Sequence, residues 1–150
     1  MSAIRTLDLE AAGPAHRTSN MLGRGDRIPH ISVTRIGGTT FAYDDIWQRR
    51  NLVLVSLAGE RVDHDHDAAA YAADLAARDA AFQEFETTVV VTRESVPGLP
   101  SPAVLVADRW GEIVFVESAD RVASLPRAAD LLDWLRFVAH ACPECEGEAR

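Results

Sequence analysis

Six consecutive residues, Leu52-Val53-Leu54-Val55-Ser56-Leu57, constrain this chain more than any other feature. Successive side chains of a strand point to opposite faces, so a run this apolar must be covered on both sides. It is also far too short to cross a bilayer. The run therefore predicts a central, parallel strand with layers above and below it. The following segments fit that role. Residues 63–86 read as a helix, with Asp67 as its N-cap, an Ala-rich body, and Tyr71, Leu75, Phe82 and Phe85 along one face. Thr87–Thr92 is β-branched throughout and reads as the next strand. Strand, helix and strand in one sheet imply a right-handed crossover.

The flanks complete the pattern. Upstream, Ile31, Val33 and Arg35 suit one short strand and residues 39–42 a second, joined at Gly37-Gly38; Asp44 or Asp45 can start a helical turn through Trp47. Downstream lies a Pro-rich joint, Val96-Pro97-Gly98-Leu99-Pro100-Ser101-Pro102. Two apolar runs, Ala103–Ala107 and 113–117, then flank Asp108-Arg109-Trp110-Gly111, a hairpin signal. Residues 127–140 form an amphipathic helix with Leu131, Leu135 and Val138, beside Leu132 and Trp134, on its apolar face. The expected class is α/β: βαβ followed by ββα, a short N-terminal β-hairpin extension, and a central mixed sheet flanked by helices. The expected divisions are a leader or arm over 1–24, a domain over 25–140 and a tail over 141–150.

Charge narrows the partners. The net charge is −8, all 15 basic residues are Arg, and no basic stripe exists, so no nucleic-acid partner is expected and lysine chemistry is excluded. The N-terminal segment lacks a basic region followed by an apolar one, so neither secretion nor membrane insertion is expected; the expected compartment is cytoplasmic. Two Cys cannot staple a disulfide scaffold. The three Trp residues, 47, 110 and 134, fit either the core or an interaction patch, and His30 reads as a surface residue.

The order of elements is that of the thioredoxin fold, and particular segments go further. Gly25-Asp26-Arg27-Ile28-Pro29, Gly37-Gly38-Thr39-Thr40-Phe41, Asp44-Asp45-Ile46-Trp47 and the 52–57 strand together resemble the opening of AhpC/TSA-type redoxins, the peroxiredoxin-like branch. Residues 101–114, a Pro, a strand, Asp108-Arg109-Trp110-Gly111 and a strand, resemble a later segment of the same superfamily. The resemblance covers about 25–140 and implies a cis peptide bond at Pro102. It also implies a reactive Cys after the first core strand, where a helix N-terminus lowers a thiol pKa. That stretch here is Gly59-Glu60-Arg61-Val62-Asp63-His64-Asp65-His66-Asp67, with no Cys, Ser or Thr. A second departure is length: about ten residues, 93–102, stand where thioredoxins insert another helix.

Two clusters carry potential chemistry. Three carboxylates and two imidazoles over 63–67 suit a metal through His64 and His66, or else the Asp residues cap and charge-balance a helix start. Cys142-Pro143-Glu144-Cys145 suits half of a zinc knuckle, a redox dithiol or two idle thiols. Structural zinc wants four ligands; one chain offers the two Cys with His140 nearby, and a two-fold dimer would offer four Cys. The thiols follow a helix, and Glu144, Glu146 and Glu148 surround them; both features raise a thiol pKa. The leading functional reading is a non-catalytic binding, adaptor or assembly module with a protein partner or homo-oligomer and a zinc knuckle at Cys142 and Cys145. The alternatives are a thiol–disulfide oxidoreductase using that Cys pair, and a metal-binding protein using the 63–67 cluster.

Overall fold

The computed structural model describes the backbone of residues 21–58 and 65–149 and the side chains of 21–58 and 66–140. At its centre lies β3 (Asn51–Ser56). It pairs in parallel with β4 (Thr87–Thr92) on one side and antiparallel with β5 (Ala103–Ala107) on the other. β6 (Ile113–Ser118) continues the sheet antiparallel to β5, giving the order β4-β3-β5-β6. β1 (Ser32–Thr34) and β2 (Thr40–Ala42) form a separate antiparallel hairpin. Three helices complete the fold: α1 (Asp65–Ala77), α2 (Asp79–Glu84) and α3 (Ala128–Ala149). None of the helices among the described residues is long and apolar enough to cross a membrane.

Both faces of β3 are covered, as its composition requires. Val53 and Val55, with Val104 and Val106 of β5, pack against Leu75, Phe82, Leu131 and Leu135 of the helices. Leu52 and Leu54, with Leu105, point the other way, against Val33, Phe41, Tyr43, Val96 and Leu99. The N-terminal hairpin and the Pro-rich joint thus supply the second layer where a helix is absent. Thr92 ties that layer down: its hydroxyl donates to the Thr34 carbonyl at 2.7 Å and accepts the Glu94 N–H at 3.0 Å.

Several details differ from the sequence expectation. The helix expected over 63–86 is two helices, broken at Arg78, whose φ of −105° and ψ of 17° leave the helical basin. The break turns α2 so that Phe82 is fully buried. Asp67 lies inside α1, two residues past Asp65, and is not its N-cap. The packed body also starts before Gly25: the Leu22 N–H donates to Gly98 O at 2.8 Å, and the Arg24 guanidinium lies over Trp134 at 5.6 Å. Residues 1–20 of the expected leader lie outside the described residues. Finally, the backbone of 141–149 continues α3, so Cys142 and Cys145 stand within that helix rather than in a separate tail.

Both helix α3 and the β5–β6 turn are fixed by carboxylates. Asp74 of α1 accepts the Ala128 N–H at 3.3 Å, and Asp130 accepts the Arg127 N–H at 3.0 Å, satisfying donors that a helix start leaves open. In the turn, Asp108 Oδ1 accepts from the N–H groups of Trp110 and Glu112 at 2.9 and 3.0 Å. Gly111 has φ +88° and passes so close to Tyr43 that a Cβ there would sit 3.0 Å from the phenolic oxygen.

That phenol is 1% exposed and has no hydrogen-bond partner among the described residues. Burial, with Asp108 adding to it and Arg27 opposing it, pushes the Tyr43 pKa up to about 12. An unfolded Tyr titrates near 10. Between these values the unfolded chain has lost a proton that the folded chain keeps, so this group makes stability fall as pH rises from about 10 to about 12. Replacing Tyr43→Phe removes an unpaired hydroxyl. The expected result in urea unfolding is a stability at pH 7 within about 1 kcal/mol of wild type and a shallower alkaline decline, by on the order of 2 kcal/mol. A loss above 2 kcal/mol at pH 7 would show that the hydroxyl has a stabilising partner after all.

Candidate functional site

The end of the sheet where β3 finishes and β5 begins is built from polar groups set into an apolar frame. The Ser101–Pro102 peptide bond is cis, at the residue where the family resemblance expects it. Ser56 is the one hydroxyl in the apolar run of β3 and is fully buried. Its oxygen lies 3.0 Å from the Glu94 carbonyl and 2.6 Å from Ser101 Oγ. A carbonyl can only accept, so Ser56 donates to Glu94 and Ser101 donates to Ser56. The corner beside Pro102 is thus closed by a chain of two hydroxyls and a main-chain carbonyl. Neither hydroxyl bonds an imidazole or a carboxylate among the described residues.

The remaining candidates fall elsewhere. His64 lies outside the described residues. His66 is an exposed residue of α1. The side chains of Cys142 and Cys145 lie outside the described residues too, but their backbone positions are informative. α3 starts at the Pro102 end of the sheet: Ala119 N–H bonds Pro102 O at 3.1 Å, and the Tyr71 hydroxyl donates to Pro126 O at 2.5 Å just before the helix. At 1.5 Å per residue, Cys142 stands about 21 Å down the helix axis from Ala128. The cysteines are therefore far from the cis-proline corner. His140 is exposed, and its Nδ1–H donates to the Arg136 carbonyl at 2.9 Å, one turn back along the same helix. No group of three His, Cys, Asp or Glu placed to hold a metal occurs among the described residues.

At the opposite end of the sheet, His30 pairs with Asp44 and packs edge-on to Tyr43 and Trp47, with ring centroids 5.4 and 4.9 Å apart. Trp110 is 42% exposed in the β5–β6 turn, and Trp134 stacks on Phe115 at 5.0 Å. The Ser56–Ser101 pair was not anticipated from the sequence. Its signals were a lone Ser in a six-residue apolar strand and a Ser directly before Pro102. Replacing Ser56→Ala removes the donor to the Glu94 carbonyl and leaves Ser101 only the longer, 3.5 Å contact with the Ser56 carbonyl. The expected loss is about 1–3 kcal/mol in urea unfolding, whereas Ser101→Ala, at a half-buried position, costs less than about 1 kcal/mol. Equal, negligible effects would contradict this hydrogen-bond chain.

No family model matches the chain, and no curated protein matches it. Solved structures do. A thioredoxin-family thiol:disulfide interchange protein from Chlorobium tepidum superposes with a TM-score of 0.54 at 11% identity, covering 77% of this chain and 97% of that one. The AhpC of Mycobacterium tuberculosis gives 0.56 at 12% identity, over 79% and 94%. A PrxQ variant from Xylella fastidiosa gives 0.57 at 14% identity, over 79% and 98%. Identities this low establish architecture: the chain has the thioredoxin-like fold shared by peroxiredoxins and thiol:disulfide oxidoreductases.

Proposed function

We propose that this chain is a redoxin-fold binding module, an adaptor or assembly factor that works through its surface rather than through a thiol at the fold's usual position. The cis-proline corner carries this reading. Beside Pro102 the hydroxyls of Ser56 and Ser101 are engaged with each other and with the Glu94 carbonyl. The sequence from 57 to 67 supplies only acidic, basic, imidazole and apolar groups. Thiols occur only at Cys142 and Cys145, whose backbone stands about 21 Å or more along α3 from the end of the sheet where this corner lies. The last turns of a helix disfavour a thiolate, and Glu144, Glu146 and Glu148 act in the same direction. The pair remains a proposed zinc ligand set, because a bound cation overrides that unfavourable field.

The test is turnover. Purified chain, with a thiol reductant, is assayed for peroxide consumption and for reduction of insulin disulfides. The expected rates equal the reductant-only background for wild type, Cys142→Ser and Cys145→Ser alike. Turnover in wild type that Cys142→Ser abolishes would move the function to the Cys pair and overturn the binding-module reading. Metal analysis of the same preparations completes the assignment. The proposal expects zinc in wild type and its loss in both Cys variants; zinc that persists in the Cys variants would remove these two thiols as its ligands.

A further inference from the structure

β6 ends the sheet, and among the described residues its outer edge is covered only at its start. Gly25 N–H bonds Ile113 O at 2.8 Å, and Ile113 N–H bonds Asp26 O at 2.9 Å. Beyond that point no described segment pairs with the strand. Because Ala119 N–H turns inward to Pro102 O, antiparallel alternation turns the N–H and C=O groups of Val116 and Ser118 outward. Beside this edge runs a groove against α3. It consists of two open recesses of about 490 and 290 Å³ that share Asp133 and Trp134. Phe115, Trp134 and Phe137 form an aromatic floor, with Phe115 stacked on Trp134 and Phe137 edge-on to it at 5.7 Å. Phe137 is 52% exposed, a large apolar surface for a helix whose inner face is already buried.

We infer that this groove takes an extended, basic peptide segment of a partner protein, added to β6 as a fifth strand with an apolar or aromatic side chain on the floor. The geometry is that of strand addition, in which main-chain hydrogen bonds hold the peptide and alternate side chains select it. Charge chooses the occupant. Glu117, Asp130 and Asp133 line the groove, and Arg24, the one cation among its described lining residues, already lies over the Trp134 ring. Asp133 is also bonded to Arg136 at 2.6 Å, and Asp130 accepts the Arg127 N–H at 3.0 Å, so Glu117 supplies most of the charge the rim offers a ligand. A second copy of the chain would bring the same acidic rim and another −8 charge to a two-fold interface, so it is disfavoured. This inference rests on the binding-module reading and names the surface and the partner chemistry.

The probe is a fluorescein-labelled, end-capped peptide of alternating arginine with valine or phenylalanine, titrated into the full chain and followed by anisotropy. A matching peptide with glutamate for arginine is the control. The expected result is saturable binding of the basic peptide only, weakened at least about ten-fold by Phe137→Ala, by Glu117→Arg and by Ser118→Pro, which removes an outward N–H. All three positions are exposed, so the fold survives these changes, and circular dichroism checks that it does. No binding, equal binding of both peptides, or binding that salt abolishes and Phe137→Ala leaves unchanged would overturn the inference. So would a dimer in sedimentation that Phe137→Ala dissolves, since the groove would then belong to a second copy. Background rates in the turnover assay alongside any of these failures would leave the binding-module reading standing and reject only the groove.

Discussion

Burial of β3 on two faces is the constraint from which the rest follows. A strand of Leu, Val and Ser can leave water only if one layer covers Val53 and Val55 and another covers Leu52 and Leu54. Helices α1, α2 and α3 provide the first layer. The second is made from the β1–β2 hairpin, Tyr43 and the Val96–Leu99 segment, which have few regular hydrogen bonds of their own. They are held instead by long-range bonds such as Thr92 to Thr34 and Leu22 to Gly98. The single hydroxyl in that strand, Ser56, has to be satisfied in place, and it is satisfied by the residues that precede Pro102.

This arrangement separates the molecule into ends with different chemistry. The end holding Pro102 is polar, closed and without an activated group among the described residues. The other end presents aromatic rings, with His30, Tyr43 and Trp47 packed together and Trp110 exposed beside them. The outer edge of β6, unpaired beyond its start among the described residues, and the exposed ring of Phe137 lie on the remaining side of the sheet. Trp110 and Phe137 thus sit away from the Pro102 corner, whereas the exposed Ile36 lies beside Val91 at that end of the sheet.

Much of the fold was readable because it rests on local rules. The apolar run fixed β3, β-branching fixed β4, and Asp108 with Gly111 fixed the hairpin turn. The break at Arg78 was not readable, because no Gly or Pro marks it; beyond it Phe82 of α2 is fully buried. Asp67 was a poor choice of cap because Asp63, Asp65 and Asp67 offer the same chemistry at three successive alternate positions, and spacing cannot choose among them. The helix read over 127–140 runs on to Ala149, past Pro143, which removes only one backbone donor. The Ser56–Ser101 pair joins residues 45 apart in the chain, and the β6 groove joins a strand edge to a helix. Neither juxtaposition exists until the chain is folded.

The central claim is that the chain carries no activated thiol. The most direct measurement is the pH dependence of alkylation of Cys142 and Cys145 by iodoacetamide, followed residue by residue by mass spectrometry after removal of metal. An ordinary thiol titrates near 8.5. The acidic end of α3 predicts rates that rise only above about that pH for both residues. A rate plateau reached by about pH 7 at either cysteine would reveal a stabilised thiolate and contradict the account.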